Sequence, residues 1–253
     1  MDAFILHHMG LGDSIIMNPV VNFYSKKYKT VHIFCKKQNY NNVNNLFMHL
    51  NNVIVNSLEA KSFDEEKTFI DNYINDNKQE DSKILSCGVF NNNNGPYVDI
   101  PENFYKEMNF DISDSIKYFK ISDEYSTNVE RVLSAPDSVW KNMVFMCAKS
   151  SDMDLTEAFK TEYKDDIKNS LIVCPHDNIS KKYNKISNTF LDLPLLDYVW
   201  AIKQAKKVIC IDSAFGVLSN FVARDSSEKI IHIRNYHGTS KNFYKGWEFK
   251  NIL

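Results

Sequence analysis

The sequence predicts a two-lobed α/β protein built on parallel sheets, and three observations carry that prediction. Short apolar stretches bounded by polar turns recur along the chain and alternate with helically spaced ones. Two of them, one near each end, run into a turn that opens a helix. These are Phe4-Ile5-Leu6 before Gly10-Leu11-Gly12-Asp13-Ser14, and Val208-Ile209-Cys210-Ile211 before Asp212-Ser213-Ala214-Phe215. The rhythm breaks once, between the stretch ending at Val89 and the one beginning at Val144. Strands separated by helices pair in parallel. The strand-to-helix turn is where such sheets hold phosphate-bearing ligands, because helix amides and the helix dipole point at the ligand.

Taken in order, residues 2–8 read as a strand. Residues 13–28 have helical spacing, with Ile16, Val20, Phe23 and Lys27 on one side and Pro19 inside, expected to kink the helix or to mark a late first turn. Val31–Cys35 is a second strand, followed by an Asn-rich helix or loop to Leu50. Val53–Val55 is a short third strand, Phe63–Ile74 an acidic helix, and Lys83–Val89 a fourth strand. Asn91–Pro96 is a loop, Phe104–Met108 a short helix and Lys117–Ile121 an extended exit. Pro136 falls in the linker, so the lobes are expected at 1–125 and 126–253. The second half repeats the pattern. Strands are expected at Val144–Ala148, Leu171–Pro175, Val208–Ile211 and Ile230–Ile233, the last of the chain. Helices are expected over 155–168, over 195–206, and through Val217, Leu218, Phe221 and Val222. A polar, aromatic tail follows.

Composition bounds the function. An apolar share of 43% and a charged share of 25% fit a soluble globular chain of 253 residues. A net charge of −2 supplies no global field for nucleic acid or an anionic membrane. No apolar run approaches the ~18 residues of a membrane span. The start lacks the basic region of a signal peptide, so a cytoplasmic protein is expected. Five cysteines, an odd number with no CxxC pair, argue against a disulfide framework or a zinc site and for reduced thiols packed as small apolar groups.

The first turn is not a dinucleotide fingerprint. Ile15 fills the slot of the third Gly, and Lys36 and Lys37 end the second strand where an acidic residue is needed. A nicotinamide-dependent oxidoreductase is therefore disfavoured. Gly12 lets a ligand approach the backbone. Asp13, at the helix start, is either a fixed carboxylate able to act as a general base or a helix cap. The second turn, Asp212 to Phe215, is either a nest for a diphosphate or a simple N-cap. Asp152-Met153-Asp154 is a DxD pair of the kind that holds a divalent cation, but the helical stretch after it favours a capped surface turn. His176 follows Pro175 at the strand edge where ligands bind. His7 and His8 end the first strand, one facing a cleft and the other the core. Arg234, Tyr236 and His237 follow the last expected strand.

The stretch LGDSIIMNP, residues 11–19, resembles the opening signature of the heptosyltransferase-like (family 9) glycosyltransferases. LLDYVWAIKQAKKVICIDSAFGVLSNFVA, residues 195–223, resembles that family's second signature, and FYKEMNF followed by YFKI its linker. The resemblance implies a GT-B fold: two Rossmann-like lobes with the active site between them. It implies an N-terminal acceptor lobe carrying Gly10, Leu11, Gly12 and Ser14 around the catalytic base Asp13. It implies a C-terminal lobe in which Asp212, Ser213, Ala214 and Phe215 contact the donor diphosphate; His176, from its place at the strand edge alone, is either a donor contact or a structural or exposed histidine. Lys149 and Ser150 match a loop that neutralises the leaving group. The implied reaction is inverting, metal-independent hexosyl or heptosyl transfer from a nucleotide-sugar to a hydroxyl acceptor such as a glycan, with no cofactor beyond the donor. Ala214 in place of the usual Gly, and the absence of the His usual in the next helix, leave the donor open. The missing His and the short length also suit the alternative, a GT-B-like module that binds nucleotide or glycan without turnover, against which the intact Asp13 argues.

Overall fold

The computed structural model describes residues 1–91, 100–122, 137–180, 182–233 and 242–252. The chain divides into two compact units, Met1–Ser122 and Asp123–Leu253. The expected boundary at 125/126 lies outside the described residues, as do Arg234, Tyr236, His237 and most of the Asn91–Pro96 loop. No helix among the described residues is long and apolar enough to cross a membrane.

The first unit holds four parallel strands: β1 (Asp2–Leu6), β2 (Thr30–Lys36), β3 (Val53–Leu58) and β4 (Lys83–Ser86), in the order β3-β2-β1-β4. The central strands β1 and β2 are buried almost throughout, which is why they read as unbroken apolar runs. The flanking strands leave Ile54 and Ile84 exposed. Alternate side chains serve opposite faces. Phe4, Leu6, Phe34 and Leu58 pack with Ile70 and Ile74 of helix α3 (Phe63–Asn77). That helix starts where Ser62 accepts the Glu65 N–H at 3.3 Å, and three acidic residues in its first turn suit the dipole.

Helix α1 (Leu11–Tyr24) runs continuously through Pro19, so that residue marks no late first turn. The Tyr105 hydroxyl donates to the Ile16 carbonyl at 2.8 Å within the same stretch. Two residues of α1 do what helical spacing did not reveal. Asn18, fully buried, donates to the Lys120 carbonyl at 2.8 Å and accepts the Lys120 N–H at 3.0 Å. Asn22 donates to Asn18 and meets His49 at 2.9 Å. The Asn-rich stretch becomes a 3-10 turn and α2 (Tyr40–Phe47), and α4 spans Ile100–Glu107. The expected extended exit at Lys117–Ile121 is corrected. Ser115–Tyr118 form a helical turn, α5, after Asp111 accepts the Ser113 N–H at 2.8 Å, and the chain extends only from Phe119.

The second unit holds five parallel strands in the order β6-β5-β7-β8-β9. They are β5 (Met143–Cys147), β6 (Leu171–Val173), β7 (Lys207–Ile211), β8 (Glu228–Ile233) and β9 (Glu248–Asn251). The last corrects the expectation that the chain ends in a tail: Ile230 to Ile233 pair in register with Glu248 to Asn251. The helices are α6 (Asp137–Trp140), α7 (Thr156–Glu162), α8 (Lys164–Asn169), α9 (Asn184–Asn188), α10 (Val199–Gln204) and α11 (Ala214–Val222). The single helix expected over 155–168 is broken at Tyr163, whose φ of −106° and ψ of 30° leave the helical region. Its hydroxyl meets His232 Nε2 at 2.6 Å in the core. All five cysteines are buried and free.

Candidate functional site

Each sheet has one position where the chain order reverses. In the first unit β1 lies between β2 and β4; in the second β5 lies between β6 and β7. The connections leaving such neighbouring strands diverge, and open α/β sheets bind ligands outside the carboxyl ends at that point. The loops after β1 and β4, and those after β5 and β7, are therefore the two candidate sites. They carry Asp13 in the first unit, and Lys149 and the Asp212–Phe215 turn in the second.

In the first unit Gly10 caps α1 without a side-chain bond, and the Ser14 amide and hydroxyl both donate to the Gly10 carbonyl at 3.1 Å. Leu11, Gly12 and Asp13 are half-buried. One Asp13 carboxylate oxygen folds back over Gly10 so closely that a Cβ there would lie 2.5 Å from it. Gly10 thus admits the carboxylate itself. His7 is buried and its Nδ1–H donates to the His8 carbonyl; burial holds its pKa down at about 4.

His8 faces the loop after β4. Its Nε2 accepts the Val89 N–H at 3.1 Å, so the ring is neutral with its proton on Nδ1, and burial lowers its pKa against an opposing pull from Glu107. Gly88 has φ +62°, and a Cβ there would sit 2.4 Å from that same His8 nitrogen. The Gly88 N–H donates to Glu107 at 2.7 Å, and Phe104, one turn earlier on α4, meets the His8 ring edge-on with centroids 5.0 Å apart. The charges of both Glu107 and Asp13 reach Cys87, whose thiol is pushed up chiefly by burial. Sequence reading missed this cluster. Beyond His8 itself, its one signal was Gly88, a rare glycine inside the expected fourth strand.

In the second unit Ser213 stands at the N-cap position of α11 but its side chain caps nothing. Its hydroxyl is sealed from solvent and has no oxygen or nitrogen partner among the described residues; only the buried Cys147 thiol, a weak donor, lies against it. The first α11 amides have no intrahelical acceptors. Asp212 is held by the buried Tyr244 phenol at 3.3 Å and by its own N–H to the His232 carbonyl at 2.9 Å, so it shapes the turn. Ala214 is half-buried, and Phe215 packs edge-on against His176 at 5.7 Å and Tyr198 at 5.1 Å. Burial lowers the His176 pKa, and the charges of Asp192, Lys149 and Asp154 all reach it. Gly216, not singled out from the sequence, lets α11 close on the sheet: a Cβ there would meet the Ile211 carbonyl oxygen at 2.6 Å and Ile231 at 3.0 Å.

Lys149 pairs with Asp154 at 3.0 Å, and bonding by Thr156 and then Lys149 holds the Asp154 carboxyl at about 2. Asp154 also accepts the Thr156 N–H at 2.9 Å at the start of α7, and Asp152 accepts from the Ser150 hydroxyl at 2.8 Å. The DxD pair is thus used within its own turn. Among the described residues no group of three or more His, Cys, Asp or Glu is arranged to hold a metal.

Searched by sequence, the chain matches no family model and no curated protein. By structure it is similar to a glycosyl transferase family 9 protein from Veillonella parvula DSM 2008, with a TM-score of 0.60 at 10% identity over 99% of this chain and 86% of that one. It is similar to the iron-containing dodecameric glycosyltransferase TibC from enterotoxigenic E. coli H10407, with a TM-score of 0.54 at 11% identity over 100% of this chain and 64% of that one. It is also similar to E. coli heptosyltransferase WaaC with ADP-2-deoxy-2-fluoro heptose, with a TM-score of 0.53 at 12% identity over 100% of this chain and 94% of that one. The fold is that of the family 9 glycosyltransferase structures, two Rossmann-like units each with a parallel sheet. This is the likeness that the Leu-Gly-Asp and Asp-Ser turns pointed to.

Proposed function

We propose that the chain is a glycosyltransferase that moves a sugar from a nucleotide-sugar to a hydroxyl acceptor, inverting and metal-independent, in the cytoplasm. One observation carries the reading. In a fold shared with family 9 structures, the switch-point loop of one unit holds a carboxylate, and that of the other a helix terminus suited to an anion beside a hydroxyl met only by a thiol.

In this reading Asp13 removes the acceptor hydroxyl proton while that oxygen attacks the anomeric carbon. The bond to the nucleoside diphosphate breaks on the opposite face, which inverts the centre. The charge growing on the leaving group falls on the α11 amides, the Ser213 hydroxyl and the Lys149 ammonium. Gly10, Leu11, Gly12 and Ser14 shape the acceptor turn, with Ser150, His176, Ala214 and Phe215 beside the donor. The solved neighbours named with ADP or ADP-heptose make adenosine diphosphate sugars the first donors to try.

A second reading, binding without turnover, draws on the Lys149–Asp154 pair, which already occupies the ammonium. One experiment separates the two. Nucleotide-sugars are screened by thermal shift, and a hit is assayed for transfer or slow hydrolysis in the wild type and in Asp13→Asn. Turnover that falls by about 10²–10⁴ in the variant with donor binding unchanged supports the transferase. Tight binding with no wild-type turnover supports the second reading.

A further inference from the structure

One surface of the first unit is left over by this account. Helix α1 is followed by the run Lys26-Lys27-Tyr28-Lys29, and α5 presents Ile116-Lys117-Tyr118. The two meet through aromatic rings: Phe23 packs edge-on against Tyr118 at 5.2 Å and Phe110 at 5.5 Å. Lysines sit on those rings. The Lys26 ammonium lies 4.8 Å from the centre of the Tyr118 ring and the Lys117 ammonium 5.0 Å from the same centre; Lys27 lies 3.7 Å over Phe23.

Two positive charges thus share one ring, within about one Debye length (~10 Å) of each other. Only Lys117 has a carboxylate partner, Asp114 at 3.5 Å; Lys26 and Lys27 form no ion pair among the described residues. Over residues 25–29 and 111–120 the chain carries five lysines against two aspartates, in a protein whose net charge is −2. An exposed apolar side chain adjoins Lys117 in the sequence: Ile116 is 50% exposed.

We propose that this face docks on an anionic phospholipid bilayer. The ammonium groups are spread over two rings, which suits a plane of phosphates better than one small anion. Lysine stems and half-buried rings lie at the level of headgroups, with Ile116 reaching past them. Screening lets the bilayer respond to the facing patch rather than to the net charge. A polynucleotide fits less well, because lysines already lie over the Tyr118 and Phe23 rings that would have to stack on a base.

The test is independent of catalysis. The full chain is sedimented with phosphatidylcholine vesicles, with and without phosphatidylglycerol, at low and high salt. We expect binding only with phosphatidylglycerol, weakened by salt, and reduced at least about tenfold in the pair Lys26→Glu/Lys27→Glu. Lys117→Glu gives a second, independent loss, and Ile116→Ser lowers the binding that survives high salt. The pair Lys164→Glu/Lys168→Glu on exposed α8 makes the same change in net charge and leaves binding intact. Circular dichroism confirms that each variant is folded. Failure of the wild type to bind phosphatidylglycerol vesicles overturns the proposal, as does an equal loss in the α8 pair. Tighter, patch-dependent binding to duplex DNA overturns it in favour of a polynucleotide partner.

Discussion

At the switch point of the first unit, side chains tie the loops together. His8 accepts from Val89, Glu107 accepts from Gly88, and Asp13 folds over Gly10. At the switch point of the second, the Lys149–Asp154 and Ser150–Asp152 bonds stay within the loop after β5 instead of joining it to the loop after β7. Tyr244 fixes the Asp212 turn, Gly216 lets α11 close on β7, and the Ser213 hydroxyl meets only the Cys147 thiol. The same topology therefore yields two chemistries. The first gathers groups that take up or give up protons; the second offers hydrogen-bond donors to an anion. That division suits a proton acceptor on one side and a leaving phosphate on the other.

The glycines give the largest lever on this contrast. Gly88→Ala forces an ordinary residue to φ +62° and drives a methyl into His8, which should cost about 3 kcal/mol. Melting should fall by roughly 6–12 °C. Gly216→Ala pushes α11 off the Ile211 carbonyl and should cost about 1–3 kcal/mol. Hydrogen exchange reads where each acts: the first should expose the Val89 amide and spare α11, the second the reverse. Loss of protection in both units from either change would break the contrast.

Acid should act next. His7 has a folded pKa of about 4 against an ordinary 6.5. Between those values the unfolded chain binds more protons, so the stability of the first unit falls as pH drops from 6.5 toward 4. His7→Gln should flatten that slope in a melting series, and an unchanged slope would assign the acid sensitivity to other groups.

Ser213→Ala sharpens the comparison at the other site. Deleting a buried hydroxyl that bonds to no oxygen or nitrogen should leave melting unchanged or raised, while nucleotide-sugar affinity measured by calorimetry drops about tenfold. A destabilised variant with full affinity would make Ser213 structural. The smallest effect is expected from Asp154→Asn. The Lys149–Asp154 pair is exposed, so melting should hardly move, while the released ammonium should tighten nucleotide binding a few-fold. Weaker binding would mean that the carboxylate itself orients Lys149.

Buried central strands were legible because β1, β2, β5 and β7 are apolar on both faces. Strand β9 was not, because Glu-Phe-Lys-Asn on a sheet edge has a single apolar residue. The break at Tyr163 was hidden because its cause, the bond to His232, lies far along the chain. The two turns were legible as local patterns. The His8–Gly88–Glu107 cluster was not, since only the pairing of β1 with β4 brings its members together. Gly216 was within reach as the Gly three residues after Ser213, but the reason for it, a carbonyl 2.6 Å from any Cβ, exists only in the packed structure.

Asn18 grips Lys120 by both of its backbone groups. Two residues further on, the first unit ends. The end of the first unit is thus clamped to the middle of the helix that carries Asp13, five positions away from that carboxylate.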